Sequence, residues 1–258
     1  MAQRRTILIT GSGNGIGRAS LGFFHERDWR VIGLDTDAEA LDELRGELPR
    51  DEALLLPCDC GDEGAVREAF GQIARWLGED SLHCLVNNAG LADPYCGPLE
   101  KLQLADWRRW IDASLTAAFL CSRAALPLLR RAAETSGGAS ICNISSTRAL
   151  QSEPDSFAYA AAKGGLDALT HALAVSLGPA IRVNAIRPGW IEVGPWQKAS
   201  ERKEPERRPQ DRAQHPVGRI GRPRDIAEAI AWLHGAGFVT GQAINIDGGM
   251  SVKMIYEE

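Results

Sequence analysis

The chain has 258 residues, 44% of them hydrophobic, which suits one α/β domain with a single sizeable core. A net charge of −5 argues against general nucleic-acid binding; no apolar run approaches the roughly 20 residues of a membrane span, and none has the form of a secretory signal. Six cysteines (Cys58, Cys60, Cys84, Cys96, Cys121 and Cys142) make no C-x-x-C pair and five histidines make no ligand cluster, so reduced thiols, a cytoplasmic setting and no catalytic metal are expected.

Residues 5–10 read as a buried strand around Ile7, Leu8 and Ile9, running directly into Thr10-Gly-Ser-Gly-Asn-Gly-Ile-Gly17, with a helical pattern from 16 to about 27. Strand, glycine turn and helix start make an anion cradle in which backbone amides and the helix dipole face a pyrophosphate. Gly11, Ser12, Asn14, Gly15, Ile16 and Gly17 are the candidate contacts. The spacing is not the plain G-x-G-x-x-G, because Ile16 and Arg18 stand where a third glycine would be needed. A glycine-rich surface turn is the alternative, and the position between a buried strand and a helix argues against it.

A second strand, 29–34, ends in Asp35, about 20 residues past the glycine turn, where an acid accepts hydrogen bonds from an adenosine ribose. Asp37 suits a cap on the helix starting near residue 38. With no lysine or arginine in the sequence at this strand end, a 2′-phosphate would meet repulsion, which favours NAD over NADP. Apolar runs at 54–57, 82–86, 140–144, 181–186 and 243–246 alternate with helical patterns, the signature of a parallel sheet with helices on both faces. No internal repeat, low-complexity tract or linker interrupts them.

Tyr159 and Lys163 lie four apart on one helix face, with Ser146 thirteen residues before the tyrosine. A phenol, with a reference pKa of about 10, is a poor base at neutral pH. A nearby ammonium favours the phenolate, and a serine hydroxyl can hold the substrate oxygen that gains or loses a proton. These parts suit hydride transfer between an alcohol and a dinucleotide.

The elements in this order resemble the classical short-chain dehydrogenase/reductase family over almost the full length, from about residue 6 to 249. Besides the glycine turn, the resemblance rests on Asp59, Asn87-Asn-Ala-Gly90, Ser146, Tyr159 with Lys163, Asn184 with Pro188-Gly189, and Asp247-Gly-Gly249. It implies a single-domain Rossmann fold: a doubly wound, seven-stranded parallel sheet in order 3-2-1-4-5-6-7. It implies that Asp59, flanked by Cys58 and Cys60, binds the adenine. Asn87, Ala89 and Gly90 would pass beneath the adenosine, and Pro188, Gly189 and Ile191 would lie against the nicotinamide. Tyr159 would be the base, Lys163 would also hold the nicotinamide ribose, and Ser146 would bind the substrate oxygen. The activity implied is NAD-dependent oxidation of a secondary alcohol, polyol, sugar or hydroxy acid. Homotetramers, or homodimers, would form through the helices at about 105–135 and 159–177 and the last strand, with the tail 250–258 reaching a neighbour.

In the resemblance, residues 190–216 form a substrate lid. From Lys198 to Arg224 there are nine Lys/Arg and four Asp/Glu, an excess of +5. That excess suits either a solvated loop or steering of an anionic substrate. Tyr95, Trp190 and Trp196 are candidate substrate contacts, whereas Trp107 and Trp110 suit packing in the core or a subunit contact. Two departures from the family stand out. Ser114 occupies the place of a catalytic asparagine that helps hold a water beside the lysine, and Val193 replaces a threonine that commonly bonds the carboxamide. A cofactor-binding protein without turnover and an NADP-dependent carbonyl reductase remain as alternatives.

Overall fold

The computed structural model describes residues 4–136, 138–205 and 208–254. Its seven strands are β1 (Thr6–Thr10), β2 (Arg30–Asp35), β3 (Ala53–Pro57), β4 (Cys84–Asn87), β5 (Ala139–Ile144), β6 (Ile181–Pro188) and β7 (Ala243–Ile246). All pair in parallel, in the order β3-β2-β1-β4-β5-β6-β7. The helices are α1 (Gly15–His25), α2 (Ala38–Glu47), α3 (Glu63–Leu77), α4 (Leu104–Ile111), α5 (Ala117–Ser136), α6 (Phe157–Leu177), α7 (Pro209–Ala213) and α8 (Pro223–Gly235).

The continuous apolar run of β1 follows from its place at the centre of the sheet, covered on both faces. Leu8 turns to one side and joins Ile32, Leu34 and Leu85 under Ile73 of α3 and Leu129 of α5. Ile7 and Ile9 turn to the other side, against Phe24 of α1, Leu41 of α2 and Ile230 of α8. Truncating a fully buried leucine such as Leu8 to alanine costs about 2–5 kcal/mol. The order reverses at β1, which pairs with β2 on one edge and β4 on the other. The helices α1, after β1, and α5, after β4, pack on opposite faces of the sheet, the arrangement that leaves a crevice at the carboxyl ends of the strands.

The long helix expected at about 105–135 runs through a single π-helical turn, Asp112–Thr116, between α4 and α5. Such a turn carries one extra residue and recurs at functional sites; Ser114 sits in it. Although no membrane-length apolar run stands out in the sequence, helix 104–135 is long and apolar enough to cross a bilayer by length and composition. Its apolar side is nonetheless taken up by the core, with Ala117, Cys121, Ala125, Leu129 and Ala132 buried. Asp37 caps α2 as expected, accepting from the Ala40 amide at 3.1 Å.

Candidate active site

The glycine turn is stitched to the loop after β4. Thr10 Oγ1 accepts from the amides of Asn88 and Ala89 at 3.0 and 2.9 Å, and Asn88 Nδ2 donates to the carbonyls of Thr10 and Gly11 at 2.9 and 3.0 Å. Gly11 and Gly15 have φ of +64° and +58°, a region that side chains resist. Asn14 precedes the first turn of α1 without capping it, and no acid stands in that turn. Its side chain is engaged elsewhere: Oδ1 accepts from the Lys198 amide at 2.7 Å and Nδ2 donates to Asp37 at 3.2 Å. The first-turn amides and the positive end of the helix dipole are thus left for a ligand, and Gly11, Asn14, Gly15 and Ile16 line the cleft there. That chemistry fits the pyrophosphate of a dinucleotide.

Asp35 is locked at the end of β2, accepting from the Gly13 amide at 2.7 Å and the Asp37 amide at 2.9 Å. The expectation of no cation at this strand end is corrected by the fold. Lys198, distant in sequence, places its ammonium 3.0 Å from Asp37, 2.9 Å from Glu39 and 3.3 Å from Glu201. Hydrogen bonds to Glu39 and Asp37 hold its pKa well above the ordinary lysine value. The next two residues continue the contact, the Ala199 amide donating to Glu43 at 2.9 Å and Ser200 Oγ to Glu39 at 2.8 Å. The first part of the segment expected to form a lid is therefore latched onto α2.

A cleft of about 1120 Å³ runs along the carboxyl ends of the strands. Asp35, Cys58, Asp59 and Cys60 line one end, Ala89 and Gly90 the middle, and Ser146, Tyr159, Lys163, Pro188, Gly189, Ile191 and Trp190 the other half. Lys163 is buried and donates from Nζ to the Ile144 carbonyl at 2.9 Å, which fixes it 5.6 Å from the centre of the Tyr159 ring. Ser146 Oγ accepts from the Arg148 amide at 3.2 Å, so its own hydroxyl proton stays available to donate. Ser114 Oγ is buried without a hydrogen-bond partner. A Cβ on Gly90 would meet Ser114 Oγ at 2.8 Å and Lys163 Nζ at 3.5 Å, so both groups border the same glycine.

Several residues expected at the site lie elsewhere. Ser12 is buried, its hydroxyl facing the Leu34 carbonyl at 3.4 Å. Gly17 is a packing glycine: a Cβ there would fall 1.9 Å from the Gly11 carbonyl oxygen. Asn87 sits beneath the floor, donating to Ser122 Oγ at 3.0 Å and Asn143 Oδ1 at 2.8 Å in a buried network that continues to Thr170. Tyr95 and Trp196 are largely exposed and do not line the cleft, while Trp110 is buried with Nε1 on the Asp93 carbonyl at 3.2 Å. Val193 lines the cleft, its side chain beside Gly15.

Other lining residues escape the motifs. Thr147, Arg148, Gln151 and Glu153 follow Ser146; Gln214 follows α7; Met250 and Lys253 follow β7. The only sequence signal for the first four is nearness to Ser146, and nothing local marks the last three. All six cysteines are free thiols. Neighbouring sulfur and burial push Cys58 and Cys60 far above the usual thiol range, which makes them inert walls. Among the described residues no group of three or more His, Cys, Asp or Glu side chains is placed to hold a metal ion.

Comparison with known proteins agrees with this architecture. A family profile described as enoyl-(acyl carrier protein) reductase matches residues 11–251. An uncharacterized oxidoreductase of Thermotoga maritima is 43% identical over 266 residues, covering 100% of each chain. The cis-4-hydroxycyclohexanecarboxylate dehydrogenase of Sinomonas cyclohexanicum is 36% identical, covering 95% of this chain and 96% of its own. Among solved structures, an apo SCOR enzyme from Clostridium thermocellum superposes with a TM-score of 0.85 at 36% identity, over 98% of this chain and 95% of that one. Sheet order, cleft and relatives together place this chain in the short-chain dehydrogenase/reductase family, oxidoreductases that use a nicotinamide cofactor on small molecules.

Proposed function

We propose that this protein oxidises the secondary hydroxyl of a small alcohol, polyol, sugar or hydroxy acid with NAD⁺. The observation that carries the proposal is the meeting of Ser146, Tyr159 and Lys163 in one cleft with the open amino end of α1. Gly11, Asn14, Gly15 and Ile16 would hold the pyrophosphate, Asp35 the adenosine ribose and Asp59 the adenine. Pro188, Gly189 and Ile191 would hold the nicotinamide. The bound dinucleotide supplies the hydride acceptor. Tyr159 takes the hydroxyl proton, and Ser146 donates to the same oxygen, whose charge grows as the proton leaves. Lys163, with one donor on Ile144, keeps two more for the ribose hydroxyls and for stabilising charge on the tyrosine oxygen.

Preference for NAD⁺ over NADP⁺ rests on Asp35 and on the balance around it. Lys198 and Arg18 are cations near this end that would favour NADP⁺, but Asp37, Glu39 and Glu201 already surround the Lys198 ammonium and Glu43 and Glu47 pair with Arg18. A cytoplasmic setting is supported by the six free thiols. Assembly into two or four chains is supported by the exposed apolar side chains Val175, Trp232 and Phe238 near the β7 edge.

Screening secondary alcohols, polyols, sugars and hydroxy acids with both cofactors tests the proposal. Turnover with NAD⁺ is expected on at least one class, and Tyr159→Phe should lower kcat by about 10²–10⁴-fold while NAD⁺ affinity stays near wild type. Retention of most activity by that variant on a confirmed substrate would remove Tyr159 as the base.

A further inference from the structure

The far wall of the cleft is assembled from chain segments that are remote in sequence. Gln151 Nε2 donates to the Ser251 carbonyl at 2.9 Å, tying the loop after Ser146 to the turn Met250–Val252. That turn is itself rigidly built. Asp247 accepts from the amides of Gly249 and Ser251, each at 2.9 Å, and Asn245 Nδ2 donates to Ser251 Oγ at 2.9 Å. Ser251 and the Gly249 amide hold the Asp247 carboxyl below its usual range although burial would raise it. Lys253 leaves this turn at the cleft wall, where its Nζ donates to the Ala213 carbonyl beside Gln214. The segment expected to reach toward a neighbouring subunit therefore folds, as far as Lys253, onto its own cleft; residues 255–258 lie outside the described residues.

Charge on this wall is unbalanced. Beyond Ser146, and apart from Lys163 beside Tyr159, the charged side chains lining the cleft are Arg148, Glu153 and Lys253. Arg148 and Glu153 neutralise each other in a two-point pair, through Nη2 and through Nε at 3.2 Å. Among the described residues Lys253 forms no ion pair with a carboxylate. Its one observed partner is a neutral carbonyl, which leaves donors for a charge-assisted bond of about twice the strength. The lid's excess positive charge does not compete for this role. Between residues 198 and 224, Lys198 is held by Asp37, Glu39 and Glu201, Arg208 by Asp211, Arg219 by Asp225 and Arg224 by Glu228, while Arg202, Lys203, Arg212 and Arg222 stand away from the cleft lining. Among the described residues no lysine or arginine from Lys198 to Arg224 lines the cleft.

We infer that the substrate is a hydroxycarboxylate, or the matching ketocarboxylate, whose anionic group is anchored by Lys253, with Gln151 and Gln214 adding neutral donors. The inference deepens the proposed alcohol oxidation at Ser146 and Tyr159 by naming the substrate class. Lys253 reads the substrate's charge; it takes no part in the proton or hydride step.

The test uses a readout that does not require turnover. Full-length protein saturated with NAD⁺ is titrated calorimetrically with butyrate, hexanoate and benzoate, and with the corresponding amides. At least one acid should bind about tenfold more tightly than its amide, with the margin shrinking as salt is added. Lys253→Gln should erase the margin without lowering the melting temperature, and Lys253→Arg should retain most of it. Once an alcohol substrate is known, Lys253→Gln should raise KM for the acid and leave kcat nearly unchanged. Equal binding of acid and amide, including no binding of either, overturns the inference, as does a margin that survives Lys253→Gln. Either result can occur with alcohol oxidation intact, and failure to oxidise any alcohol leaves the binding margin measurable, so the two claims fail separately.

Discussion

At the β2 and β3 end of the cleft, functional side chains are held by bonds that are short in sequence or run to the adjacent strand's turn. Asp35 is fixed by the amides of Gly13 and Asp37, and Asp59 by the amide of Gly61 at 2.9 Å. At the β5 and β6 end, the wall is pinned by contacts between remote segments: Gln151 on Ser251 and Lys253 on Ala213. The first end presents carboxylates and backbone amides whose positions follow from the strand ends themselves. The second depends on loops that must first find one another. A site of the first kind suits a ligand that is always the same, and a wall of the second kind can change its specificity without disturbing the sheet.

The sharpest way to break this contrast is to change the fixed end alone. Asp35→Ala with Thr36→Arg should move binding from NAD⁺ toward NADP⁺, by about a hundredfold in the ratio of the two affinities, because it removes an anion and adds a cation where a 2′-phosphate of about −1.5 to −2 charge would sit. Fluorescence quenching by each cofactor measures it. Wild-type protein that binds NADP⁺ as tightly as NAD⁺ would show that Lys198, despite its three carboxylates, sets the preference instead. Relative KM values at the substrate end should not respond to the double substitution.

The same contrast separates what the amino-acid sequence reveals from what only folding brings together. The sheet order, the glycine turn, Asp35, Asp59, Ser146, Tyr159 and Lys163 all sit at strand ends or on one helix face, so local pattern locates them. Gly17 and Asn87 also belong to the motifs, yet a motif does not tell a packing role from a ligand contact. Only the Cβ approach to Gly11 and the buried bonds to Ser122 and Asn143 separate the two. Lys198 and Lys253 are illegible for another reason. Each is an inconspicuous lysine in a polar segment, and its partners lie far along the chain on Asp37 and Glu39 or on Ala213. Tyr95 and Trp196 mislead in the opposite way: aromatic character suggests a pocket, and the loops carry them outward.

The latch between the lid and α2 links the two ends, and loosening it should have a smaller effect. Lys198→Ala removes the ammonium shared by Asp37, Glu39 and Glu201, all exposed or half-exposed groups, so cofactor release should quicken by about fivefold at most. Stopped-flow displacement of bound cofactor measures the rate, and an unchanged rate would mean that the lid does not gate this end. The pH dependence has a defined sign. Asp37 and Glu39 have lowered pKa values, so the latch persists above the ordinary carboxylate values of 3.8 and 4.5 and is lost as pH falls below them. Lys198 has a raised value, so the latch also holds as pH rises to and beyond the ordinary 10.5. Protease resistance of the 198–205 segment should follow that window.

The smallest effect is expected where the two ends meet, at Ser114. Its hydroxyl is buried with no partner among the protein groups, and it borders Gly90 together with Lys163. A buried polar atom left unpaired costs about 1–3 kcal/mol, so a water that bonds to it and to the lysine would relieve that cost and give Lys163 a route for protons. Ser114 lies in the π turn Asp112–Thr116, a local irregularity of a kind that recurs at functional sites, and its hydroxyl faces Gly90, which lines the cleft. An asparagine at this position reaches further and offers both a donor and an acceptor. Ser114→Asn should therefore leave the fold and cofactor affinity intact and keep turnover the same or raise it by about twofold to threefold, a difference of less than about 1 kcal/mol in the barrier. A larger solvent isotope effect in the wild type than in the variant would place the defect in proton relay. A fall of tenfold or more in kcat, about 1.4 kcal/mol, would instead show that the floor near Gly90 has no room for the longer side chain and that the serine is part of the shape of the pocket.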